Sequence, residues 1–191
     1  MSAVDFLFTP TVQRVLGSTL VHPDRSYTLQ DLLRRAAAGR GSAQQQIDRL
    51  VNAGVLVEEP RRGRQRSIRA NTEFVLYPEL RSIALKTFGL IEPIREALQA
   101  HADRIEEAFI FGSVVKGTDG GKSDIDIMVV GEVSQLALFD IASRLRQELG
   151  RAVQFNVYEP AEWRDLVKTD PVVSQIVNGP RLQVMPYAET N

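Results

Sequence analysis

Residues 108–131 read AFIFGSVVKGTDGGKSDIDIMVVG, and the reading of the second half of the chain turns on them. Residues 108–111 form an apolar run of the length of a buried strand. Gly112 and Ser113 break it, and a polar loop with Gly117, Gly120 and Gly121 follows. Asp124-Ile125-Asp126 then opens a second apolar run through Val130. Strand side chains alternate, so Asp124 and Asp126 share one face while Ile125 and Ile127 point to the core. Two unit charges 4 Å apart repel by roughly 4 kcal/mol at an effective dielectric near 20. Carboxylates one pleat apart therefore call for a cation, and a hard oxygen donor set favours Mg2+ or Mn2+.

This stretch resembles the signature of the nucleotidyltransferase superfamily, the polymerase-beta-like fold. The pattern is a hydrophobic residue and Gly-Ser, a spacer of about ten residues, then Asp-hydrophobic-Asp-hydrophobic. Here it runs from Phe111-Gly112-Ser113 to Asp124-Ile125-Asp126-Ile127. Residue frequencies put a chance match at on the order of one chain in several hundred. A plain hairpin with a solvated Asp pair is therefore the weaker reading. The resemblance implies that Asp124 and Asp126 are the catalytic metal ligands. It also implies that Gly112, Ser113 and Lys116 face the phosphates of a nucleoside triphosphate. The family's third carboxylate, on the next strand, falls on Asn156, or on Gln154 if the register is shifted by two. Neither is acidic, and an amide can ligate a metal through oxygen but cannot act as a general base.

Composition sets the bounds. The 191 residues are 43% hydrophobic and 25% charged, ordinary for a soluble globular protein. The absence of cysteine excludes disulfides, thiol catalysis and Cys-ligated zinc. His22 and His101 are far apart in sequence and are expected at the surface. No apolar run reaches membrane-span length and no signal-peptide pattern opens the chain, so a cytoplasmic protein without membrane contact is expected. The net charge of −1 hides an asymmetry: residues 1–78 carry 11 Lys+Arg against 7 Asp+Glu, and residues 79–191 carry 12 against 17. A basic first part and an acidic second part suggest modules with different partners.

Thr9-Pro10 predicts a helix start with Val12, Val15, Leu16 and Leu20 inward. Thr28 caps a second helix. Residues 39–41 read as a turn, and Ser42 with Gln45 as the capping box of a third helix that buries Ala43, Ile47, Leu50 and Val51. Residues 55–58 and 66–70 read as a β-hairpin. Three helices and a hairpin resemble bacterial winged-helix regulators of the ArsR type. The third helix would then present Gln44, Gln45, Asp48, Arg49 and Asn52, side chains suited to base edges, Asp48 excepted. Arg61, Arg62 and Arg64, with Arg66 and Arg69, would bring the wing to phosphates or the minor groove of double-stranded DNA. Asp48 would face the duplex or pair with Arg49 or Arg66.

Residues 78–85 look helical, with a stripe of Leu80, Ile83 and Ala84. The junction around Tyr77-Pro78-Glu79-Leu80-Arg81 resembles that of prokaryotic proteins fusing a winged helix to a minimal nucleotidyltransferase domain. Downstream, Ser134 starts a helix stopped by Gly150, residues 153–158 form a strand, Trp163 belongs to the core, and residues 182–185 form a last strand. The expected fold class is α+β: an N-terminal winged helix-turn-helix (1–75), a helical connector (76–90) and a small nucleotidyltransferase-fold α/β domain with a mixed sheet (91–191). The expected function is transfer of a nucleoside monophosphate from NTP to an unknown acceptor, with divalent metal and a DNA-binding winged helix. The alternative is a DNA-binding transcriptional regulator whose second domain is a catalytically degenerate sensor of a ligand or partner. Homodimerisation through the first and connector helices is expected, and the resemblance implies a possible partner toxin protein.

Overall fold

The structure, a computed structural model, describes residues 3–60, 66–119 and 123–186. The chain divides into two compact units, residues 1–92 and 93–191.

In the first unit, α1 (Pro10–Leu20) starts where expected: the Thr9 side chain accepts from the Val12 N–H, and Pro10 occupies the first turn. A two-residue strand, β1 (Tyr27–Thr28), leads into α2 (Leu29–Ala36). A reciprocal capping box holds that start, with the Thr28 hydroxyl accepting from the Asp31 N–H and the Asp31 carboxylate accepting from the Thr28 N–H. β1 has no periodic signal at two residues, and it exists because Tyr27 and Thr28 pair with Ile68 and Ser67 further along the chain. α3 (Arg40–Asn52) corrects the sequence reading. Gly39 is the N-cap, with φ −53° and ψ 133°, and its carbonyl accepts from the Ala43 N–H at 2.9 Å. The helix thus begins before Ser42, residues 40–41 are helical rather than a turn, and the Ser42–Gln45 box is not formed. β2 (Leu56–Glu58) and β3 (Ser67–Ala70) pair antiparallel, giving a three-stranded sheet in the order β1-β3-β2.

Val15, Leu32, Ala43, Ile47, Leu56 and Ile68 form one core of this unit. A second core joins Leu16 and Leu20 of α1 to Ala84 of α4 (Tyr77–Lys86), with Tyr77, Leu80 and Phe88 against it. The apolar stripes of α1 and α4 are therefore spent on each other. They do not offer the dimer surfaces expected of them. His22 is also corrected: it is 3% exposed and belongs to the interior.

The second unit takes up α5 (Ile91–Leu98) and a 3-10 turn (Gln99–Arg104), then builds a four-stranded mixed sheet in the order β6-β5-β4-β7. β4 (Ile105–Phe111) and β5 (Ile125–Gly131) are antiparallel; β5 and β6 (Val153–Tyr158) are parallel; β7 (Leu182–Met185) runs antiparallel on the far side of β4. A buried central strand reads as a continuous apolar run, as β5 does after Asp126. α7 (Gln135–Leu149) makes the crossover from β5 to β6. Ser134 caps its start and Gly150, at φ 70°, ends it. It covers the sheet face on which Ile125, Ile127 and Val129 are buried. α8 (Pro160–Thr169) and α9 (Pro171–Asn178) cover the other face, where Phe109, Met128 and Val130 pack with Trp163 and Val173. Trp163 is a core residue, as its sequence context predicts.

Candidate functional site

The site lies where β4 ends and β5 begins, on the α8 face of the sheet. β4 runs out at Phe111, the register partner of Asp126. Gly112 follows with φ 79° and ψ −152°, a conformation open to glycine. A Cβ built there would lie 2.6 Å from Asp126 Oδ2. Glycine is thus required twice: for the backbone angle, and because a carboxylate occupies the space a side chain would need. Ser113 opens the single turn of α6 (Ser113–Lys116), ended by Gly117 at φ 70°. Thr118 N–H returns to the Ser113 carbonyl at 3.1 Å, tightening the turn.

Asp124 immediately precedes β5 and Asp126 is its second residue, so the alternation places both on the α8 face. Both are partly buried. The Asp126 carboxyl is pushed above the usual carboxylate range by burial first and by the charge of Asp124 second, with Arg151 opposing. A cation held between the two carboxylates would act in the opposite direction. The two carboxylates are hard oxygen donors, which fit Mg2+ or Mn2+, ions that take one or two carboxylates and complete their shells with water or phosphate. Among the described residues no cluster of three or more His, Cys, Asp or Glu could hold a metal.

β6 decides the neighbour. Asp126 aligns with Gln154, and Asn156 aligns with Met128, two residues further on. Gln154 donates from Nε2 to Asp124 Oδ2 at 3.1 Å. Of the two positions open from sequence, the one beside the Asp pair is therefore Gln154, and Asn156 is displaced along the strand.

Two residues that sequence reading did not single out, Arg151 and Asp119, form a buried ion pair near Asp124. Arg151 and Asp119 pair at 2.8 Å with both side chains 1% exposed. Arg151 Nε also donates to the Ser123 carbonyl at 2.8 Å. One guanidinium thus fixes both the Asp119 carboxylate and the carbonyl of Ser123, the residue before Asp124. The available signal was faint: an arginine between a helix-stopping glycine and an apolar strand, where a charge must find a partner.

Residues 92–169 match the family model described as polymerase beta, nucleotidyltransferase. The matched segment is less than half of the chain and contains Gly112, Ser113, Asp124, Asp126 and Gln154. Two solved structures are similar to part of the chain. One is a toxin–antitoxin crystal structure with AMP-PNP, 23% identical, covering 52% of this chain and 75% of that one at a TM-score of 0.40. The other is a mutant of the toxin–antitoxin MntA–HpeT, 21% identical, covering 51% and 74% at a TM-score of 0.40. No curated protein matches the chain.

The segment matched by that model brings Gly112, Asp124, Asp126 and Gln154 together, with Ser113 next in the chain. Lys116 sits exposed at the far end of α6, and no contact ties it to the Asp pair. In the first unit, Gln44, Gln45, Asp48, Arg49 and Asn52 line an open depression along α3. Asp48 resolves its ambiguity by accepting from Arg66 at 3.0 Å, and Arg66 also pairs with Glu58. Arg69 pairs with Glu59 at 3.4 Å. Two of the five hairpin arginines are therefore engaged within the unit. Arg61, Arg62 and Arg64 lie outside the described residues. Among the described residues, no helix is long and apolar enough to cross a membrane.

Proposed function

We propose that residues 91–191 bind a nucleoside triphosphate with a divalent cation and transfer its nucleoside monophosphate to an acceptor. The carrying observation is the Asp124–Asp126 pair, set against the side-chain-free backbone of Gly112 within the segment that matches the nucleotidyltransferase model. Asp124 and Asp126 hold the cation, whose charge offsets that of the triphosphate. Gly112 lets a phosphate oxygen approach the main chain, Ser113 offers its hydroxyl, and Lys116 reaches from the end of α6. Gln154 can lend its carbonyl oxygen to the cation but takes no proton from an acceptor hydroxyl. The test is label transfer from each of four α-labelled NTPs to co-purified protein and RNA, with Mg2+ or Mn2+. Transfer that Asp124→Asn and Asp126→Asn abolish supports the enzyme; no transfer in any combination removes it.

The amide of Gln154 on Asp124 favours a second reading, in which nucleotide binds without turnover and the domain senses a ligand or partner. Metal-dependent NTP binding in calorimetry, with no label transfer, is the outcome that selects it. In both readings residues 1–75 act as a winged helix-turn-helix on double-stranded DNA, with Gln44, Gln45 and Arg49 toward base edges and Arg61, Arg62 and Arg64 toward phosphates. Half-sites about 34 Å apart, usual for such modules, call for a homodimer. A partner toxin protein should co-purify with the chain.

A further inference from the structure

β6 is an edge of the sheet: it pairs with β5 and with no other strand among the described residues. Ile125 N–H donates to the Ala152 carbonyl at 2.9 Å, which sets the phase of the ladder. Residues 154, 156 and 158 thus turn their main-chain groups to β5, and Val153, Phe155 and Val157 turn theirs outward. Edge strands are ordinarily guarded by lysine, proline, a bulge or very short length. β6 is six residues long, reads VQFNVY, and has no charge, no proline and no register shift. Beside it runs a groove floored by β6 and walled by α7, lined without one charged side chain although a quarter of the chain is charged. Phe139, 70% exposed, stands on its wall, and Leu136, 74% exposed, lies one turn before it. Exposed large apolar side chains beside an unguarded edge mark a surface that is covered in use.

We propose that β6 joins two copies of this chain, antiparallel about a two-fold axis through Phe155. In that register all three outward positions pair apolar with apolar; moving the axis by one residue either way sets Arg151 or Glu159 opposite a valine. Phe155 meets Phe155, and Val153 meets Val157 twice, as hydrogen-bonded pairs using the three outward main-chain positions. Gln154 meets Asn156 twice in the intervening pairs, amide against amide on the α8 face. The two Phe139 side chains close over the junction on the α7 face. No charge opposes a second copy, and a closed two-fold contact abolishes the exposed edge. The result is one eight-stranded sheet with both Asp pairs on the same continuous face. This inference stands independently of any transfer reaction.

The test uses the full chain. Light scattering at tens of micromolar should give twice the monomer mass of 21.3 kDa. Phe139→Glu and Val157→Pro should each halve that mass while leaving the circular dichroism and melting temperature near wild type. The proline removes an outward N–H and no bond to β5. Because the chain has no cysteine, Gln154→Cys and Asn156→Cys report the register directly. Mixed and oxidised, they should form a disulfide dimer at least tenfold faster than either variant alone. Monomer at all concentrations overturns the proposal. So does a dimer that survives both edge variants, or one whose fastest cross-link forms within a single variant.

Discussion

Asp126 carries the sharpest consequence of its surroundings. Its folded carboxyl lies above the usual range because it is partly buried beside Asp124. Between the ordinary value of 3.8 and the raised one, the folded state holds the extra proton. Stability therefore falls as pH rises through that window and stays lower at neutral pH. In metal-free buffer at pH 7, Asp126→Asn should melt higher than wild type, and the gain should vanish as pH drops below 3.8. With Mg2+ and NTP the order reverses. Wild type gains about 2.7 kcal/mol at a ligand concentration 100 times Kd, and the variant gains little. Thermal melts across pH, with and without ligand, check both halves; a variant that melts no higher than wild type at pH 7 removes the charge-repulsion account.

Two elements can be tested by small changes. Arg151 and Asp119 form a buried ion pair beside the start of β5. Removing one partner strands a charge, so Arg151→Met should cost about 3–5 kcal/mol, while Arg151→Met with Asp119→Leu should recover much of it. Urea unfolding of the two variants decides this, and equal destabilisation by both would mean that the stranded charge is not the cause. The register of β6 makes a chemical prediction. Gln154→Asp sets a third carboxylate next to the Asp pair, and Asn156→Asp sets one beside Met128. Gln154→Asp should raise label transfer by at least tenfold, within the range of general-base effects, and Asn156→Asp should leave it unchanged. The reverse ranking would refute the assignment of β6 to the site.

At the scale of the whole molecule the two units carry separate predictions. Because α4 packs its apolar face on α1, a fragment made to test the proposed DNA binding should end at residue 92; ending it at 75 would strip cover from Leu16 and Leu20. In the full chain, replacing Arg61, Arg62 and Arg64 with alanine should weaken binding to every DNA sequence. It should also flatten the salt dependence by about 0.9 log unit for each phosphate that the wing no longer neutralises. Arg49→Ala should instead narrow the gap between preferred and random DNA. Binding isotherms at several salt concentrations separate the two effects. An unchanged salt slope in the triple variant excludes the wing from the interface.

The sequence by itself determined what short-range chemistry controls. The Thr9 and Thr28 caps, the Gly150 stop and the apolar runs of β4, β5 and β6 are local events, settled by hydrogen bonds and alternation within a few residues. The Asp124–Asp126 pair and Gly112 were legible for the same reason. Only tertiary structure decided what depends on partners distant in the chain. β1 exists because β3 pairs with it. His22 is interior, and the stripes of α1 and α4 face each other instead of a second chain. The choice between Gln154 and Asn156 is the clearest case. A side-chain period of two makes residues two apart equivalent along a strand, and the pairing of β6 with β5 breaks that equivalence. Arg151 and Asp119, 32 residues apart, meet only because the β5–α7–β6 crossover returns the chain to the start of β5. No local pattern encodes an ion pair that the fold alone brings together and buries.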